Sequence, residues 1–372
     1  MSTGGIRHEI WSSVNPTSRE THLDHRVAII GAGPTGLRAA YSLIKRGYQV
    51  TLFDILAHPG GALVDAIPSS RLPRALITHD VALLQKLGVE FRLQTELGQN
   101  LSFPEVLRTF GAVLLATGTH HVCHLHISGE TLLSGILPAR QFLHAIAIGS
   151  VVPIGRNVVV IGGDRTAVFA ARAALKAGAR TVQIAFAGNR AMMTASADEV
   201  EAALCDGIQL REQVSARSFI GTEEATLQAV RCYETIVTTS KWEQAPIPKR
   251  VLGTNVVLPA DMSLIAAGEL PDHSFLPPML LAQRFWPAIN AYENAVYAKN
   301  IPGLFIAGGL LYGTGTIALA LKHGEQAARM IDAFMCGIPL SDVPELSGDE
   351  LALTVALPML KLTQRTSTTS NR

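Results

Sequence analysis

Three glycines near the start of the sequence have the spacing needed to hold the phosphates of a dinucleotide. Gly31, Gly33 and Gly36 form a G-x-G-x-x-G pattern within the segment RVAIIGAGPTGLRAA. The first glycine permits a tight turn, the second leaves the backbone bare where a pyrophosphate approaches, and the third lets a helix pack closely on a strand. Pro34 and Thr35 directly precede the predicted helix, whose N-terminus attracts an anion through its free N–H groups and its dipole.

The elements that must position these glycines are predicted on both sides of them. Residues 27–30 are continuously apolar, as in a buried parallel strand, and residues 37–45 predict a helix that ends at Gly47. Residues 49–53 predict the next strand, and Asp54 follows it, where an acidic side chain accepts a hydrogen bond from a ribose hydroxyl. A plain glycine-rich turn would not be followed by a helix, a second strand and an acidic residue at these spacings. The segment therefore predicts a nucleotide site.

Further candidate contacts lie in later loops. Residues 55–73 are too long and too rich in Gly and Pro for a simple connection, and such loops commonly carry ligand contacts. The candidates there are Gly60, Gly61 and Arg71, and Thr117 and Gly118 are further candidates after an apolar strand predicted at residues 112–116. The histidines and the cysteine of residues 120–126 alternate along the chain, and no acid or cysteine pair completes a four-ligand set, so no metal is predicted.

A second strand-turn-helix unit at residues 157–177 repeats the first layout. Gly162 and Ala167 keep positions of the glycine pattern, but Asp164 stands where the backbone should meet pyrophosphate. Its carboxylate would bring both bulk and like charge to that place. The next predicted strand, residues 181–186, has no acid for a ribose at its end, although Arg190 lies slightly beyond it.

These two units predict an α/β fold of two Rossmann-like dinucleotide-binding domains, the second inserted in the first. The predicted parts are an N-terminal arm (1–25), a discontinuous first domain (26–125 and 275–335), a second domain (126–274) and a C-terminal tail (336–372). We expect short strands and turns over residues 198–270 and a helix over residues 315–331 that returns to the first domain. Within the tail, residues 351–362 have the pattern of an amphipathic helix.

Composition narrows the possible partners. The 372 residues are 48% hydrophobic and 16% charged, with a formal net charge of +1, which predicts a sizeable core and no basic face for nucleic acid. No apolar run reaches the roughly 18 residues that a membrane-spanning helix requires. The four cysteines (Cys123, Cys205, Cys232 and Cys336) lie far apart without a C-x-x-C pair. This usage is typical of a cytoplasmic protein and argues against a redox dithiol of the thioredoxin-reductase type.

Over residues 26–332 the sequence resembles the flavoproteins with two dinucleotide-binding domains, in the pyridine nucleotide-disulfide oxidoreductase superfamily. It is most similar there to the small subunit of bacterial glutamate synthase and to the N-terminal part of dihydropyrimidine dehydrogenase. Residues 60–61 (GG), 67–68 (IP) and 71–73 (RLP) resemble the loop of this group that lies over the flavin, and residues 308–328 resemble its closing flavin motif.

The resemblance implies FAD in the first domain, NADPH in the second, and electron transfer from nicotinamide through the flavin to a partner centre. Together with the spacing arguments, it marks the following residues as FAD-binding: Gly31, Gly33, Pro34, Thr35, Gly36, Asp54, Gly60, Gly61, Arg71, Thr117, Gly118, Gly308, Gly309, Thr316 and Ile317.

The sequence departs from the group at its cofactor contacts. Gly309 stands where the group has an aspartate on the flavin ribityl chain, and losing such a bond costs about 1.5–3 kcal/mol, or one to two decades in affinity. The nicotinamide motif G-G-G-D-T-A-x-D becomes GGDRTAVF at residues 162–169, and the Y-R-R that reads the 2′-phosphate becomes FAG at residues 186–188. The iron-sulfur domain of the group has no counterpart in this sequence.

These observations favour an FAD-binding oxidoreductase, or the flavin subunit of a redox complex, whose NAD(P)H site is weak or lost. One alternative is an NAD(P)H-dependent reductase in which Arg165 or Arg190 takes over phosphate binding. Another alternative is a non-catalytic subunit that uses the fold as a scaffold. No catalytic acid, base or nucleophile is predicted, because the flavin carries the chemistry in such proteins. The expected partner is a redox protein or a small-molecule substrate, within a homo- or hetero-oligomer in the cytoplasm.

Overall fold

The computed structural model describes residues 25–69, 71–238, 246–276, 295–297, 301–313, 315–344 and 346. The strands, in chain order, are β1 (Arg26–Ile30), β2 (Gln49–Phe53), β3 (Glu90–Arg92), β4 (Ala112–Leu115), β5 (His121–Val122), β6 (Ile136–Pro138), β7 (Asn157–Ile161), β8 (Thr181–Ala185), β9 (Gln209–Arg211), β10 (Val214–Gly221), β11 (Leu227–Thr238), β12 (Ile247–Arg250), β13 (Val256–Pro259), β14 (Met262–Ile265), β15 (Glu269–Leu270), β16 (Ala295–Tyr297) and β17 (Leu304–Ala307).

The α-helices, in chain order, are α1 (Pro34–Ile44), α2 (Ala62–Asp65), α3 (Arg74–Lys86), α4 (Phe103–Thr109), α5 (Ala139–Ala147), α6 (Arg165–Lys176), α7 (Ala197–Cys205), α8 (Gly309–Tyr312) and α9 (Ile317–Met335). None of the helices in the described ranges combines the length and the apolar character that crossing a membrane requires. Most of the predicted arm and tail, including the helix predicted at residues 351–362, falls outside the described residues.

The first sheet has the order β16-β17-β4-β1-β2-β3, parallel except for β16. Ile29 of β1 lies between Leu52 of β2 and Leu114 of β4. These strands are apolar on both faces because each face is covered: Val27 and Ile29 pack in the core under α1, α3 and α9, whereas alternate residues pack under α4 and α8.

The second sheet is parallel throughout, in the order β6-β14-β7-β8-β9. Helices α5, α6 and α7 contribute to the core on one face of it. On the other face, Val159 and Ile161 pack against Phe219 and Val230 of a small antiparallel sheet built from β10 to β13. Two different layers therefore bury the two faces of one parallel sheet.

The chain passes between the two sheets at a short antiparallel ribbon, in which Val122 of β5 lies opposite Glu269 of β15. All strands of the second sheet fall between residues 136 and 265, whereas the first sheet takes its strands from both sides of that interval. This topology is the predicted α/β fold of two Rossmann-like units with the second inserted in the first. The predicted domain limits at 126 and 274 stay a proposal.

Four helices, α2, α5, α7 and α8, were not expected from the sequence. Helix α2 lies inside the loop predicted at residues 55–73, and α5 follows β6 directly. The expectation of only strands and turns from residue 198 is wrong at its start, where α7 forms. A capping box starts α7: the Ser196 hydroxyl accepts from the Glu199 N–H, and the Glu199 carboxylate accepts from the Ser196 N–H.

Candidate cofactor site

A cavity of about 650 Å³ lies at the carboxyl ends of the first sheet's central strands and extends to the second domain. Its volume falls in the usual range for ligand cavities. The predicted FAD-binding residues that line it are Gly31, Gly33, Pro34, Thr35, Asp54, Gly61, Thr117, Gly118, Gly308, Gly309, Thr316 and Ile317. Gly36, Gly60 and Arg71 are the predicted residues that do not line it.

The turn between β1 and α1 leaves the start of α1 open toward the cavity. A side chain on Gly31 would place its Cβ 2.4 Å from the Ala116 carbonyl oxygen, and the φ of Gly31 is +112°, so only glycine fits there. A Cβ on Gly33 would meet no atom within 4 Å, and no side chain caps α1. Gly36 acts indirectly: its missing Cβ would lie 1.9 Å from the Gly31 carbonyl oxygen, so it allows α1 to pack against the turn.

The carboxylate of Asp54 is held in place at the edge of the cavity. One oxygen accepts from the Ala32 N–H at 2.6 Å and the other from the Leu56 N–H at 2.8 Å. Burial raises the pKa of Asp54, and these two hydrogen bonds oppose that rise. Each carboxylate oxygen retains a lone pair for a ribose hydroxyl, which is the role predicted for Asp54.

Polar groups without partners lie in the same wall. The Thr117 hydroxyl is buried and has no hydrogen-bond partner among the described residues. Nearby, His120 lines the same cavity. A buried hydroxyl without a partner is costly unless a ligand satisfies it, so Thr117 marks a polar contact point for a cofactor.

The closing motif lies against these strand ends. Thr316 caps α9 by accepting from the Leu319 N–H at 3.2 Å. At Gly309, where an aspartate was expected from the resemblance, a Cβ would lie 3.3 Å from Gly118 Cα. The backbone at residues 118–119 therefore lies close to Gly309. A side chain at position 309 would require that backbone to shift by a few tenths of an ångström.

The loop over the cavity is built differently from the expectation for Arg71. Gly60 has a φ of +126°, and its N–H donates to the Ala32 carbonyl oxygen, which sets the entry into α2. Arg71, predicted as a flavin neighbour, lies outside the cavity and pairs with Glu199 of α7 at 3.6 Å. The buried carboxylate of Glu199 in the second domain attracts Arg71 across the domain interface.

The start of the second unit is occupied by its own side chain. Asp164 caps α6: its carboxylate accepts from the Ala167 N–H at 2.8 Å. Burial raises the pKa of Asp164, with the Ala167 hydrogen bond opposing the shift. Beside it, Gly163 lies under the Phe186 ring, where a Cβ would be 2.4 Å from the ring. The N–H that a pyrophosphate would use is thus already bonded to a carboxylate.

The two arginines considered as substitute phosphate ligands each pair with a glutamate, and Arg165 also lines the cavity. Arg165 pairs with Glu199 at 3.0 Å and makes no ion pair with Asp164 among the described residues. Arg190 pairs with Glu201 at 2.7 Å. Glu199 on the neighbouring helix therefore provides the carboxylate that pairs with Arg165.

A polar network that the sequence did not reveal joins the domains at the cavity wall. Arg140 forms an ion pair with Glu269 and donates to the Thr119 carbonyl oxygen at 2.7 Å. The Thr119 hydroxyl donates to the Glu269 carboxylate at 3.1 Å. No sequence motif signals this network, since its members come from three separate segments.

The histidine-rich segment does not gather into one group. His120 lines the cavity, whereas His124 bonds to Glu130 at 3.1 Å. His120 and His124 therefore have separate environments, whereas the rings of His124 and His126 are neighbours, with centroids 6.1 Å apart.

The first half of the cavity fits FAD. An open helix start, an oriented acid at the ribose position and an unpartnered hydroxyl meet at one end of the sheet. The second half carries carboxylates at Asp164 and Glu269. Arg140 and Arg165 line the same half, and Arg140 pairs with Glu269. The arrangement can hold a flavin dinucleotide, whereas the Asp164 carboxylate occupies the helix start where the pyrophosphate of a nicotinamide dinucleotide would lie.

Known proteins resemble this chain over most of its length. The beta subunit of NADP(+)-dependent formate dehydrogenase from Moorella thermoacetica is 33% identical over 314 residues, covering 83% of this chain and 44% of that protein. The beta subunit of NADPH-Fe(3+) oxidoreductase from Geobacter sulfurreducens is 28% identical, covering 86% and 51%. The small chain of glutamate synthase (NADPH) from Azospirillum brasilense is 30% identical, covering 87% and 69%. The chain thus spans about half the length of the first two, and all three are named as subunits or chains of larger enzymes.

Solved structures share the fold. FprA from Mycobacterium tuberculosis in complex with NADPH has a TM-score of 0.68 at 17% identity, covering 92% of this chain and 90% of that one. Thioredoxin reductase from Lactococcus lactis has a TM-score of 0.64 at 19% identity, covering 84% and 100%. The family described as pyridine nucleotide-disulphide oxidoreductase matches residues 25–327. The predicted family, fold class and FAD cofactor are confirmed, and the chain belongs to the pyridine nucleotide-disulphide oxidoreductase family of FAD-dependent oxidoreductases.

Proposed function

We propose that this chain is the flavin subunit of a redox complex, and that its second domain binds NAD(P)H poorly. The flavin then exchanges electrons chiefly with a partner protein rather than with free nicotinamide. When bound, FAD supplies the electron-transfer chemistry, and the residues of this chain bind and orient it.

The observation that carries the proposal is the hydrogen bond from the Ala167 N–H to the Asp164 carboxylate. This bond places a partly buried carboxylate at the start of α6, where a pyrophosphate would need free N–H groups. Two like charges several ångströms apart in a partly desolvated site repel by on the order of a few kcal/mol. Residues 186–188 also lack a guanidinium for a 2′-phosphate. We therefore expect a dissociation constant of about 1 mM or weaker for NADPH.

Two alternatives receive less support from the site. A reductase with adjusted phosphate contacts would need Arg165 or Arg190, and both are paired with glutamates. A scaffold without flavin would have no use for the open start of α1 or for the unpartnered Thr117 hydroxyl.

The expected partner is a redox protein, because the relatives named above are subunits or chains of larger enzymes. We propose a cytoplasmic location for the complex, in line with cysteines that form no disulfide.

The test is anaerobic absorbance spectroscopy of the purified protein with NADH, NADPH and dithionite added in turn. We expect a flavin spectrum that dithionite bleaches and that either nicotinamide at micromolar concentration leaves unchanged. The released ligand should be FAD by chromatography. Rapid bleaching by micromolar NADPH would contradict the closed second site, whereas a colourless protein that does not take up added FAD would contradict the flavin role.

A further inference from the structure

Outside the cavity, the structure brings together three possible metal ligands that are distant in sequence. One ring nitrogen of His58, one of His144 and a carboxylate oxygen of Asp65 lie within 4.8 Å of one another. His144 Nδ1 and Asp65 Oδ1 are 2.7 Å apart, and the rings of His58 and His144 have centroids 5.8 Å apart. None of the three residues lines the cofactor cavity.

We propose that His58, Asp65 and His144 form a binding site for a divalent transition-metal ion, with zinc as the representative ion, which links the two domains. Two imidazoles and one carboxylate are a ligand set that zinc accepts, and three protein ligands leave a fourth position for water.

The burial of the site supports a metal over an ordinary surface cluster. Asp65 is 5% exposed, and His58 and His144 are partly buried. His58 Nδ1 is buried with no hydrogen-bond partner among the described residues. A buried ring nitrogen without a partner is unfavourable, and completing the polar contacts of this cluster with a metal and its water would relieve that cost.

Two of the three proposed metal ligands, Asp65 and His144, lie on helices that other contacts hold in place. Asp65 ends α2, and the Arg74 guanidinium donates to the carbonyl oxygens of Leu63, Val64 and Ile67 around that helix. His144 lies on α5, about one turn beyond Arg140, whose ion pair with Glu269 anchors the helix. Ligand atoms around a tetrahedral zinc lie about 3.4 Å apart. Zinc binding would therefore lengthen the 2.7 Å contact between His144 and Asp65 and draw the His58 ring nitrogen closer to them.

The position of the site gives the metal a consequence for the cavity. His58 and Asp65 belong to the first domain and His144 to the second. Ala62 and Ala66, at the two ends of α2, line the cavity, and so does Arg140 of α5. An ion shared by α2 and α5 would thus fix the two walls of the cavity relative to each other.

The experiment uses the full-length chain, freed of metal by a chelator and titrated with zinc chloride by calorimetry. We expect one zinc ion per chain at micromolar concentration, and a thermal midpoint that rises with zinc because the ion binds only the folded chain. Cobalt(II) bound in place of zinc should give the visible absorption bands of a four-coordinate site.

Variants assign the site. His58→Gln, His144→Gln and Asp65→Asn should each weaken zinc binding at least tenfold and abolish the cobalt absorption. His124→Gln is the matched control, since His124 also bonds to a carboxylate but lies outside the group, and it should bind zinc as the parent does. Circular dichroism confirms that each variant is folded.

No zinc binding by the parent below millimolar concentration would overturn the proposal and leave a simple His144–Asp65 hydrogen bond. Equal binding by the parent and by both His144→Gln and His58→Gln would also overturn it, because the zinc would then lie elsewhere among the 12 histidines.

Discussion

Gly33 and Asp164 precede the first helices of the two repeated units in nearly the same backbone conformation, and only Asp164 supplies an anion. Gly33 has φ −75° and ψ −176°, and Asp164 has φ −92° and ψ 177°. No side chain caps the helix start at Gly33, so its N–H groups can bind a ligand. At Asp164 the carboxylate of the protein itself accepts a hydrogen bond from one of these N–H groups. Two equivalent turns therefore differ in ligand affinity through one side chain.

Replacing Asp164 with glycine should strengthen NADH binding at least tenfold, equivalent to about 1.4 kcal/mol. The substitution frees the helix N–H groups and removes the like charge. It also removes a helix cap, and the loss of a cap lowers the free energy of unfolding by roughly 1 kcal/mol. Calorimetry gives the affinity, and denaturant unfolding gives the stability.

Asp164→Asn separates the two effects, because asparagine still caps a helix but carries no charge. We expect its NADH affinity to lie between those of the parent and of Asp164→Gly. For NADPH, adding Ala187→Arg to Asp164→Gly supplies a guanidinium. Gly188 is left unchanged because a Cβ there would lie 2.8 Å from the Phe186 ring. Unchanged binding in all these variants would show that Asp164 is not the obstacle.

Gly33→Asp should convert the first unit into a copy of the second. A Cβ at this position meets no atom, so the fold should persist while the new carboxylate caps α1 and excludes pyrophosphate. We expect a folded, colourless protein. Gly33→Ala is the control for size, and it should retain much more FAD. Normal flavin content in Gly33→Asp, measured by absorbance after release, would refute the assignment.

The stability of the protein should fall below pH 6.5 through His323. Burial, followed by the charge of Lys322, lowers the pKa of His323 to about 4. Between pH 6.5 and 4 the unfolded chain binds a proton that the folded chain does not, so the contribution is complete above pH 6.5 and is lost as the pH falls. The shift corresponds to about 3 kcal/mol.

Denaturant unfolding at pH 7.5 and pH 4.5 measures this effect. His323→Gln should lose less stability than the parent over that interval, because glutamine does not titrate. The same pH dependence in both proteins would place the titrating group elsewhere.

Electron transfer should not require a thiol. The described structure contains no disulfide among the four cysteines, and burial raises the pKa of Cys232 to about 11. In the native protein a thiol reagent should modify the exposed Cys205 quickly and Cys336 more slowly, because burial and Asp332 raise the pKa of the Cys336 thiol, and it should leave Cys232 unmodified. A variant without cysteines, with alanine at the buried position 232, should keep the flavin and its reduction by dithionite and by the partner. Loss of partner-dependent reduction at normal flavin content would reveal a thiol step.

The sequence predicts the first unit well because its signals are local. The glycines, the strands beside them and Asp54 lie within one short segment, and the structure places β2 at the predicted residues 49–53. Parallel pairing follows from such units because each helix returns the chain to the same edge of the sheet.

The sequence predicts less where partners come from distant segments. Arg71, Arg165 and Glu199 meet only when α7 packs beside α6 at the domain interface, so no spacing rule could show that Glu199 takes both arginines. His58 and Asp65 are close in sequence, but His144 joins them from another domain. Packing between the domains therefore determines which charged side chains are available to a ligand and which are already paired.

The place of β17 and α9 in the chain has a consequence for synthesis. The second domain is inserted before these elements, so its sheet can form while the first sheet still lacks β17 beside β4 and the helix that covers α1. Domains that are complete fold first as a chain leaves the ribosome. We expect the inserted domain to fold early and the flavin cavity, which needs Gly308 and Thr316, to form last. The nascent chain thus acquires its cofactor only near the end of translation, and a chain that stops before residue 304 exposes the apolar edge of β4.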